Sequence, residues 1–166
     1  MQVVIDGITY VSHEEPAWRG EEHYMAMVDL AQFDLPGMRE QIWLREIDKA
    51  GEYEVCCIPF YAYGMALGDV VSKGESDTVG PSIRKSGRRA LRVLFTAPRP
   101  LADSRLSLRR ALDSVGLMSE WNGDRQVAID VPDMSVMQPV VDAIQSEIQA
   151  KTAFWEWSDS KHYDPS

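Results

Sequence analysis

Runs of β-branched and aromatic residues, separated by Gly, Pro, Asn and Asp, dominate residues 1–96. The alternation of apolar and polar positions predicts strands there, because successive side chains of a strand point to opposite faces. The predicted strands are residues 3–5, 8–11, 24–33, 41–47, 53–58, 67–72, 83–85 and 90–96. Asp29 interrupts the alternation of the third segment, which leaves a short helix as its alternative.

Apolar residues recur at helical spacing in residues 104–115. Leu108 and Leu112 lie on one face of this predicted helix, together with neighbours three and four residues away. Ser104 is the predicted cap at its start, and Gly116 is the predicted cap at its end.

A second helix is predicted for residues 135–151, which open with the capping-box pattern of Ser135 and Gln138. Its apolar residues form one broad face, made of Val136, Met137, Val140, Val141, Ile144 and Ile148. Between the helices, predicted strands at 117–121 and 126–131 flank Asn122-Gly123-Asp124, which is a strong hairpin signal.

Together these elements predict an α+β fold. The elements after residue 89 follow the order β-α-β-β-α, which is most of a ferredoxin-like unit. The strand-rich part before them is expected to form a small barrel-like structure or an extended antiparallel sheet. We predict an N-terminal arm at residues 1–24, a single α+β domain at residues 25–151 and an aromatic, acidic tail at residues 152–166.

The net charge of −9 is unevenly distributed along the chain. Residues 1–79 hold 15 acids and 5 bases, residues 80–116 hold 2 acids and 9 bases, and residues 117–166 hold 9 acids and 3 bases. The acidic total argues against general nucleic-acid binding, because the phosphates repel it. No stretch of the sequence approaches the roughly 20 apolar residues that cross a bilayer, so no membrane association is predicted.

The two cysteines are adjacent, at Cys56 and Cys57. A disulfide between neighbours on a strand would be strained, so we predict two buried, reduced thiols and a cytoplasmic location.

None of the common catalytic motifs occurs in the sequence. The sequence has a cluster of acids and histidines, made of His13, Glu14, Glu15, Glu21, Glu22 and His23, but it does not have the spacing of a metal motif such as H-E-x-x-H. Neither a G-x-S-x-G nucleophile turn nor a G-x-x-x-x-G-K-[ST] phosphate loop is found. We therefore predict that the protein is not an enzyme and that it needs no cofactor and no metal.

Basic residues crowd the predicted hairpin of residues 83–96. Two interpretations stay open: the arginines pair with the acids of the remaining chain, or they form an anion-binding site. The candidate anion-binding residues are Arg84, Arg88, Arg89 and Arg92. Nucleic acid is not predicted here, because no aromatic residues are interleaved on which bases could stack.

Carboxylates and aromatic side chains recur together in the arm and in the tail. The residues in question are Glu14, Glu15, Trp18, Glu21, Glu22, Tyr24, Trp155, Glu156, Trp157 and Asp159. Clustered aromatic residues rarely remain in water, so they predict either docking onto the domain or a partner-binding surface. An acidic surface of this kind attracts a cationic protein.

Two motifs in the middle of the chain are fairly specific. Residues 58–64 are I-P-F-Y-A-Y-G and residues 67–71 are L-G-D-V-V, with E-Q-I-W-L-R before them at 40–45 and S-G-R after them at 86–88. Over roughly residues 25–131 the chain resembles the bacterial family known as domain of unknown function 4265. The resemblance implies a small bacterial protein, often without an attached catalytic domain, and it implies no established activity.

Within these motifs, Pro59, Gly64 and Gly68 suit a compact turn, and Asp69 can accept hydrogen bonds from backbone amides there. A role for Asp69 as a catalytic acid is the less favoured alternative.

We predict a non-enzymatic protein-binding module. Its most specific form is an immunity-type inhibitor that neutralises a bacterial toxin, a cationic protein, by covering its active site. The alternative is a small-molecule binding or regulatory domain in which the arginines hold an anion.

Overall fold

The computed structural model describes residues 1–20, 23–47, 50–96 and 103–166. The α-helices are α1 Ser104–Val115 and α2 Gln138–Gln149. The strands are β1 Gln2–Ile5, β2 Ile8–Val11, β3 Tyr24–Asp29, β4 Met38–Glu46, β5 Glu52–Val55, β6 Val70–Lys73, β7 Val79–Arg84, β8 Arg89–Phe95, β9 Ser119–Asn122, β10 Gln126–Val131 and β11 Ala153–Trp157. The fold is mixed α+β, as predicted.

The first sheet has the strand order β1-β2-β4-β5-β6-β7, and β3 pairs with β4 off this path. The long strand β4 organises the sheet, because it pairs in parallel with β2 and antiparallel with both β3 and β5. A single isolated bridge joins Met27 to Thr78. Among the described residues this sheet curls but does not close into a barrel.

The second sheet is antiparallel, with the strand order β11-β8-β10-β9. Both α-helices pack on one face of it, over a core that includes Val93, Phe95, Leu108, Leu112 and Val140. Along the chain its elements run β8-α1-β9-β10-α2-β11. The opposite face of the second sheet meets the first sheet.

The segment after β11 connects the two sheets. Residue Tyr163 is buried in the core of the first sheet, and its hydroxyl donates to the Val79 carbonyl at 2.5 Å. Gly64, at φ +71°, permits this path, because a Cβ there would lie 2.7 Å from the Tyr163 nitrogen.

Local capping explains where the predicted boundaries were wrong. Strand β3 ends at Asp29, whose side chain accepts from the Ala31 N–H at 2.9 Å and starts a 3-10 turn. The bounds of α1 and its end at Gly116 are confirmed. The cap predicted at Ser104 is wrong, because Asp103 precedes the helix without a side-chain cap and the Ser104 hydroxyl donates to Glu147 at 2.7 Å.

The second helix starts later than predicted. Asp133 accepts from the Ser135 N–H at 2.9 Å and opens a 3-10 turn, so Ser135 does not cap α2. Helix α2 starts at Gln138, with Pro139 in its first turn, where a missing N–H costs nothing. Neither helix within the described residues is long and apolar enough to span a bilayer.

Candidate functional site

Residues 56–64, which include the whole I-P-F-Y-A-Y-G motif, pass between the two sheets. Ile58 and Phe60 are buried in a small apolar cluster with Ala90 and Ala128 of the second sheet. This segment has no regular secondary structure, so its backbone polar groups need partners from side chains. Those partners come from both sheets.

The first sheet supplies the acceptor for the N–H groups of this segment. The Glu40 carboxylate, on β4, accepts from the N–H groups of Phe60 at 2.5 Å, Tyr61 at 3.0 Å and Ala62 at 2.6 Å. Glu40 is fully buried. Burial raises the pKa of Glu40, but His13, Arg92 and the Ala62 N–H outweigh burial and hold that pKa below its usual value.

The second sheet supplies the donors for the carbonyl groups. The Arg92 guanidinium, on β8, donates to the carbonyls of Pro59 at 3.2 Å, Tyr61 at 3.1 Å and Ala62. Gln126 donates to the Phe60 carbonyl at 3.0 Å. The backbone groups of this segment therefore find their hydrogen-bond partners in side chains of both sheets.

His13 joins the two sheets at this point. Its Nε2 lies 3.2 Å from Glu40 on the first sheet, and its Nδ1 bonds to Glu120 on the second sheet. An ionised carboxylate only accepts hydrogen bonds, so both ring nitrogens must carry protons and His13 is an imidazolium. The ring also stacks on Phe60, with centroids 4.4 Å apart.

The pKa of His13 agrees with this geometry. Burial lowers the pKa of His13, but the interactions with Cys57, Glu120 and Glu40 outweigh burial and raise it well above its ordinary value. Glu120 also accepts from the N–H groups of Ala17 at 2.9 Å and Ile58 at 2.6 Å. The network therefore anchors the N-terminal arm to both sheets.

The neighbouring cysteines are buried and reduced, as predicted. Burial raises the pKa of the Cys57 thiol, and it raises the pKa of the Cys56 thiol to about 12. Both are therefore neutral thiols at physiological pH, which are poor nucleophiles. Among the described residues no His, Cys, Asp and Glu cluster has the geometry of a metal site.

Asp69 has the structural role proposed for it. Its carboxylate accepts from the N–H groups of Ala66 at 3.1 Å and Ser86 at 2.8 Å, and from Lys85 at 3.0 Å. Gly68, at φ +77°, lies against the Trp18 ring in the same turn. The L-G-D-V-V motif thus locks the turn before β6.

Most of the candidate anion-binding arginines have carboxylate partners within the chain. Arg88 pairs with Asp130, and Arg89 bonds to both oxygens of Asp159 at 2.9 Å. Arg92 is buried, and in addition to its backbone partners it donates to Glu156 at 3.3 Å and lies over the Tyr63 ring. The Arg88 guanidinium lies over the Trp18 ring, and the Arg89 guanidinium lies over the Trp157 ring. Arg84 is exposed at the end of β7.

Arg88 and Arg89 line a 460 Å³ cleft with Lys85, Lys161 and His162. Lys85 bonds to Asp69 and Lys161 bonds to Asp34, both at 3.0 Å. Each of the four Lys and Arg side chains therefore has an acidic partner, which leaves the cleft close to neutral.

The predicted acid-aromatic residues lie in separate places. Glu14 and Glu15 are exposed beside a 550 Å³ pocket next to β9, at one edge of the second sheet. Trp18 is half-buried under Arg88, and the Tyr24 hydroxyl donates to Asp77 at 2.6 Å. Glu21 and Glu22 fall outside the described residues.

The aromatic residues predicted as a tail form β11, at the other edge of the second sheet. The Glu156 carboxylate turns away from solvent in part, because it accepts from Tyr63 at 2.6 Å and from Arg92. Trp155 and Trp157 meet edge to face, with centroids 6.3 Å apart. The structure thus brings the tail residues together and separates them from the arm.

Trp155 and Trp157 form one wall of an apolar groove of 300 Å³. Helix α2 forms the other wall, through Val141, Ile144 and Ile148, and Met134 closes one end. Trp155 is 49% exposed and Val141 is 45% exposed, so the groove is open to solvent. Its lining is almost entirely apolar.

Sequence reasoning missed α2 as part of this surface. The signal was present, because the apolar face of α2 includes both Val140 and Val141, and adjacent positions cannot face one core. The structure buries Val140 and exposes Val141. His13, Glu40 and Glu120 were also missed as a unit, since they are far apart in sequence.

A solved structure, "Novel crystal structure of a hypothetical protein from Neisseria gonorrhoeae", is similar to this chain. The identity is 15% and the TM-score is 0.60, and the alignment covers 87% of this chain and 99% of that chain. The similarity shows a shared fold alone. No curated protein matches the chain.

The family resemblance is confirmed, with different bounds. The match starts at residue 40 and extends beyond residue 131 to residue 157, so it includes α2 and β11. The matched region contains Glu40, Arg92 and Glu120, which hold the segment between the sheets. Because this family model matches residues 40–157, well over half of the chain, the protein belongs to the family described as Domain of unknown function (DUF4265).

Proposed function

We propose that this protein is a non-enzymatic, cytoplasmic protein-binding module, and that the groove between α2 and β11 is its partner-binding surface. The observation that carries the proposal is the half-exposed Trp155 beside Val141 and Met134. An exposed tryptophan in an apolar concave surface is typical of binding hot spots, and a flexible methionine beside it can adapt to the shape of a partner.

We further propose that the partner is a cationic bacterial toxin and that the protein is an immunity-type inhibitor that covers the active site of this toxin. The net charge of −9 supports this choice, because it accelerates association with a basic protein. The exposed carboxylates of Glu14 and Glu15 add to the same field from the far edge of the sheet.

We propose that residues 89–157 are a ferredoxin-like unit that presents this groove. The element order β-α-β-β-α-β and the strand order β11-β8-β10-β9 support the assignment. In this arrangement the last strand lies at a sheet edge, next to the second helix.

The experiment is an affinity pull-down from source cells at low and high salt, with Trp155→Ser and Ile83→Ser as matched baits. Ile83 is also exposed and apolar, but it lies on β7 of the first sheet. We expect one stoichiometric partner, whose binding weakens as the salt concentration rises. Loss of a central tryptophan costs about 2 kcal/mol or more, so Trp155→Ser should weaken binding at least about thirty-fold.

The control bait should retain the partner. Equal binding by the two variants would contradict the groove as the binding surface. An empty pull-down at both salt concentrations would contradict the inhibitor proposal.

Anion binding remains the second candidate function, on the observation that Lys85, Arg88, Arg89 and Lys161 line one cleft. An anion would have to compete with the carboxylates that already pair with them.

A further inference from the structure

The hydrogen bonds of β11 show which of its backbone groups face its neighbour. The Thr96 N–H donates to the Thr152 carbonyl at 2.8 Å, and the Ser158 N–H donates to the Ala90 carbonyl at 2.9 Å. Both pairs continue the register of β11 with β8. In an antiparallel pair, hydrogen bonds join every second pair of opposed residues. The even-numbered residues of β11 therefore bond to β8.

The odd-numbered residues Ala153, Trp155 and Trp157 consequently direct their N–H and C=O groups away from the sheet. Strand β11 is the last strand on this side. The Trp157 carbonyl accepts from the Ser160 N–H at 3.2 Å. Among the described residues, no backbone or side-chain group bonds to the other outward N–H and C=O groups of these three residues.

This edge lacks the usual protection against strand pairing. The segment A-F-W-E-W contains no proline and no basic residue. Its one charged residue, Glu156, is engaged by Tyr63 and Arg92 on the far side of the strand. Ala153 is only 1% exposed, so the outward groups that an added strand can reach are the N–H and C=O of Trp155 and the N–H of Trp157.

The groove lies directly beside this edge. Trp155 and Trp157 point to the same face of β11, where α2 packs. A strand added to β11 continues the pleat of the sheet, so every second side chain of the added strand points to that face too. Apolar side chains at those positions would extend over Trp155 toward Met134 and Val141.

The charge of the chain selects between two occupants. A second copy would bring another charge of −9 to the edge, and the two copies would repel each other. Asp142 is the only charged residue of α2 that is exposed, so the groove itself is almost free of charge. A segment with apolar residues at alternate positions and basic residues between them would suit this site. Its apolar side chains match the groove, and its positive charge is attracted by the negative charge of the chain.

We propose that the partner binds by adding an extended segment of this kind as a fifth strand along β11. The proposal rests on the proposed function, and it specifies the part of the partner that is recognised. Backbone hydrogen bonds to Trp155 and Trp157 set the position of the segment, and the groove selects its apolar side chains.

The test measures amide hydrogen exchange of the full chain with a peptide of alternating valine and lysine, blocked at both ends. The control peptide has the same composition, with all valines in one half and all lysines in the other. We expect the alternating peptide to slow exchange at Trp155 and Trp157 by about tenfold or more, because these amides gain partners. The amides of Phe154 and Glu156, which already bond to β8, should change little.

Equal slowing at odd and even positions, or no slowing with the alternating peptide, would overturn strand addition. Equal effects of the two peptides would overturn the selection of alternating side chains. Slowing that follows protein concentration without peptide would identify a second copy as the occupant and would overturn the proposal.

The pull-down separates the two proposals. If Trp155→Ser loses the partner but no odd-numbered amide is protected, strand addition is wrong and the proposed function stands. If the alternating peptide protects these amides but the partner binds Trp155→Ser as well as it binds the natural chain, the peptide does add to this edge. In that case the groove is not the partner-binding surface, and the proposed function is wrong.

Discussion

Replacing His13 with alanine tests whether the buried ion network holds the fold together. The imidazolium bonds to Glu40 on the first sheet and to Glu120 on the second sheet. His13→Ala removes both bonds and leaves two carboxylates in the interior. The matched control is His162→Ala, because His162 is exposed.

The magnitude follows from the partners that remain. A hydrogen bond to a charged group contributes about 1.5–3 kcal/mol, so the loss of two costs about 3–6 kcal/mol. Glu40 keeps three backbone N–H donors and Glu120 keeps two, which continue to stabilise the charges. We therefore expect the lower end, about 3 kcal/mol, which lowers Tm by about 6–12 °C for a chain of this size.

The assay is urea unfolding at a series of pH values. Because the pKa of His13 is raised in the folded state, its contribution is full below the unfolded pKa of about 6.5 and is lost as pH rises through the folded pKa. In that window the free energy of unfolding of the natural chain should fall by up to about 1.4 kcal/mol per pH unit, and His13→Ala should lack this slope. Glu40 has the opposite effect at acidic pH. Because its pKa is lowered in the folded state, its contribution to the free energy of unfolding is lost as pH falls through the folded pKa.

A cost below about 1 kcal/mol for His13→Ala, which is near the ordinary range for surface positions, would refute the reasoning. So would the same pH slope in the variant and in the natural chain. His162→Ala should change the free energy of unfolding by less than about 0.5 kcal/mol.

Three further predictions concern backbone packing, the buried guanidinium and the cationic cleft. Gly64→Ala should lower the free energy of unfolding by about 2–4 kcal/mol and Gly87→Ala by about 1–2 kcal/mol. Both glycines have a positive φ, but only a Cβ at residue 64 would meet another segment of the chain. Equal losses of the two variants in urea unfolding would contradict this. Arg92→Met should lower the free energy of unfolding by about 3 kcal/mol, because Arg92 is buried. Arg105→Met breaks only an exposed pair with Asp124 and should lower it by less than about 1 kcal/mol. A larger loss for Arg105→Met than for Arg92→Met would contradict the buried role of Arg92. Inorganic phosphate should leave Tm unchanged, because the cleft cations already have acidic partners, and a Tm that rises with phosphate concentration would favour anion binding.

The sequence predicted the elements whose signals are local. The bounds of α1 and β10 agree with the structure, because helical spacing and a strong turn signal depend on near neighbours. The start of α2 was wrong, because Asp133 competes with Ser135 for the backbone N–H groups there. Strand β11 was expected only as a tail, since its aromatic pattern becomes a strand through pairing with β8.

The site residues follow the same division. Trp155 and Trp157 were identified as candidates from their type and spacing, and they line the groove. The network of His13, Glu40 and Glu120 was not predictable, because 107 residues separate His13 from Glu120 and pairing across that distance leaves no periodic signal. A single sequence shows each of these residues as an ordinary solvated side chain.

The path of the last residues has a consequence for synthesis on the ribosome. Strand β8 lies between β10 and β11, yet β11 is made more than fifty residues after β8, and Tyr163 later still fills the core of the first sheet. The sheet that is translated first is therefore completed last. Until residues 153–163 have left the exit tunnel, the nascent chain exposes one side of β8 and an unfilled core, so we expect it to depend on chaperones until these residues emerge.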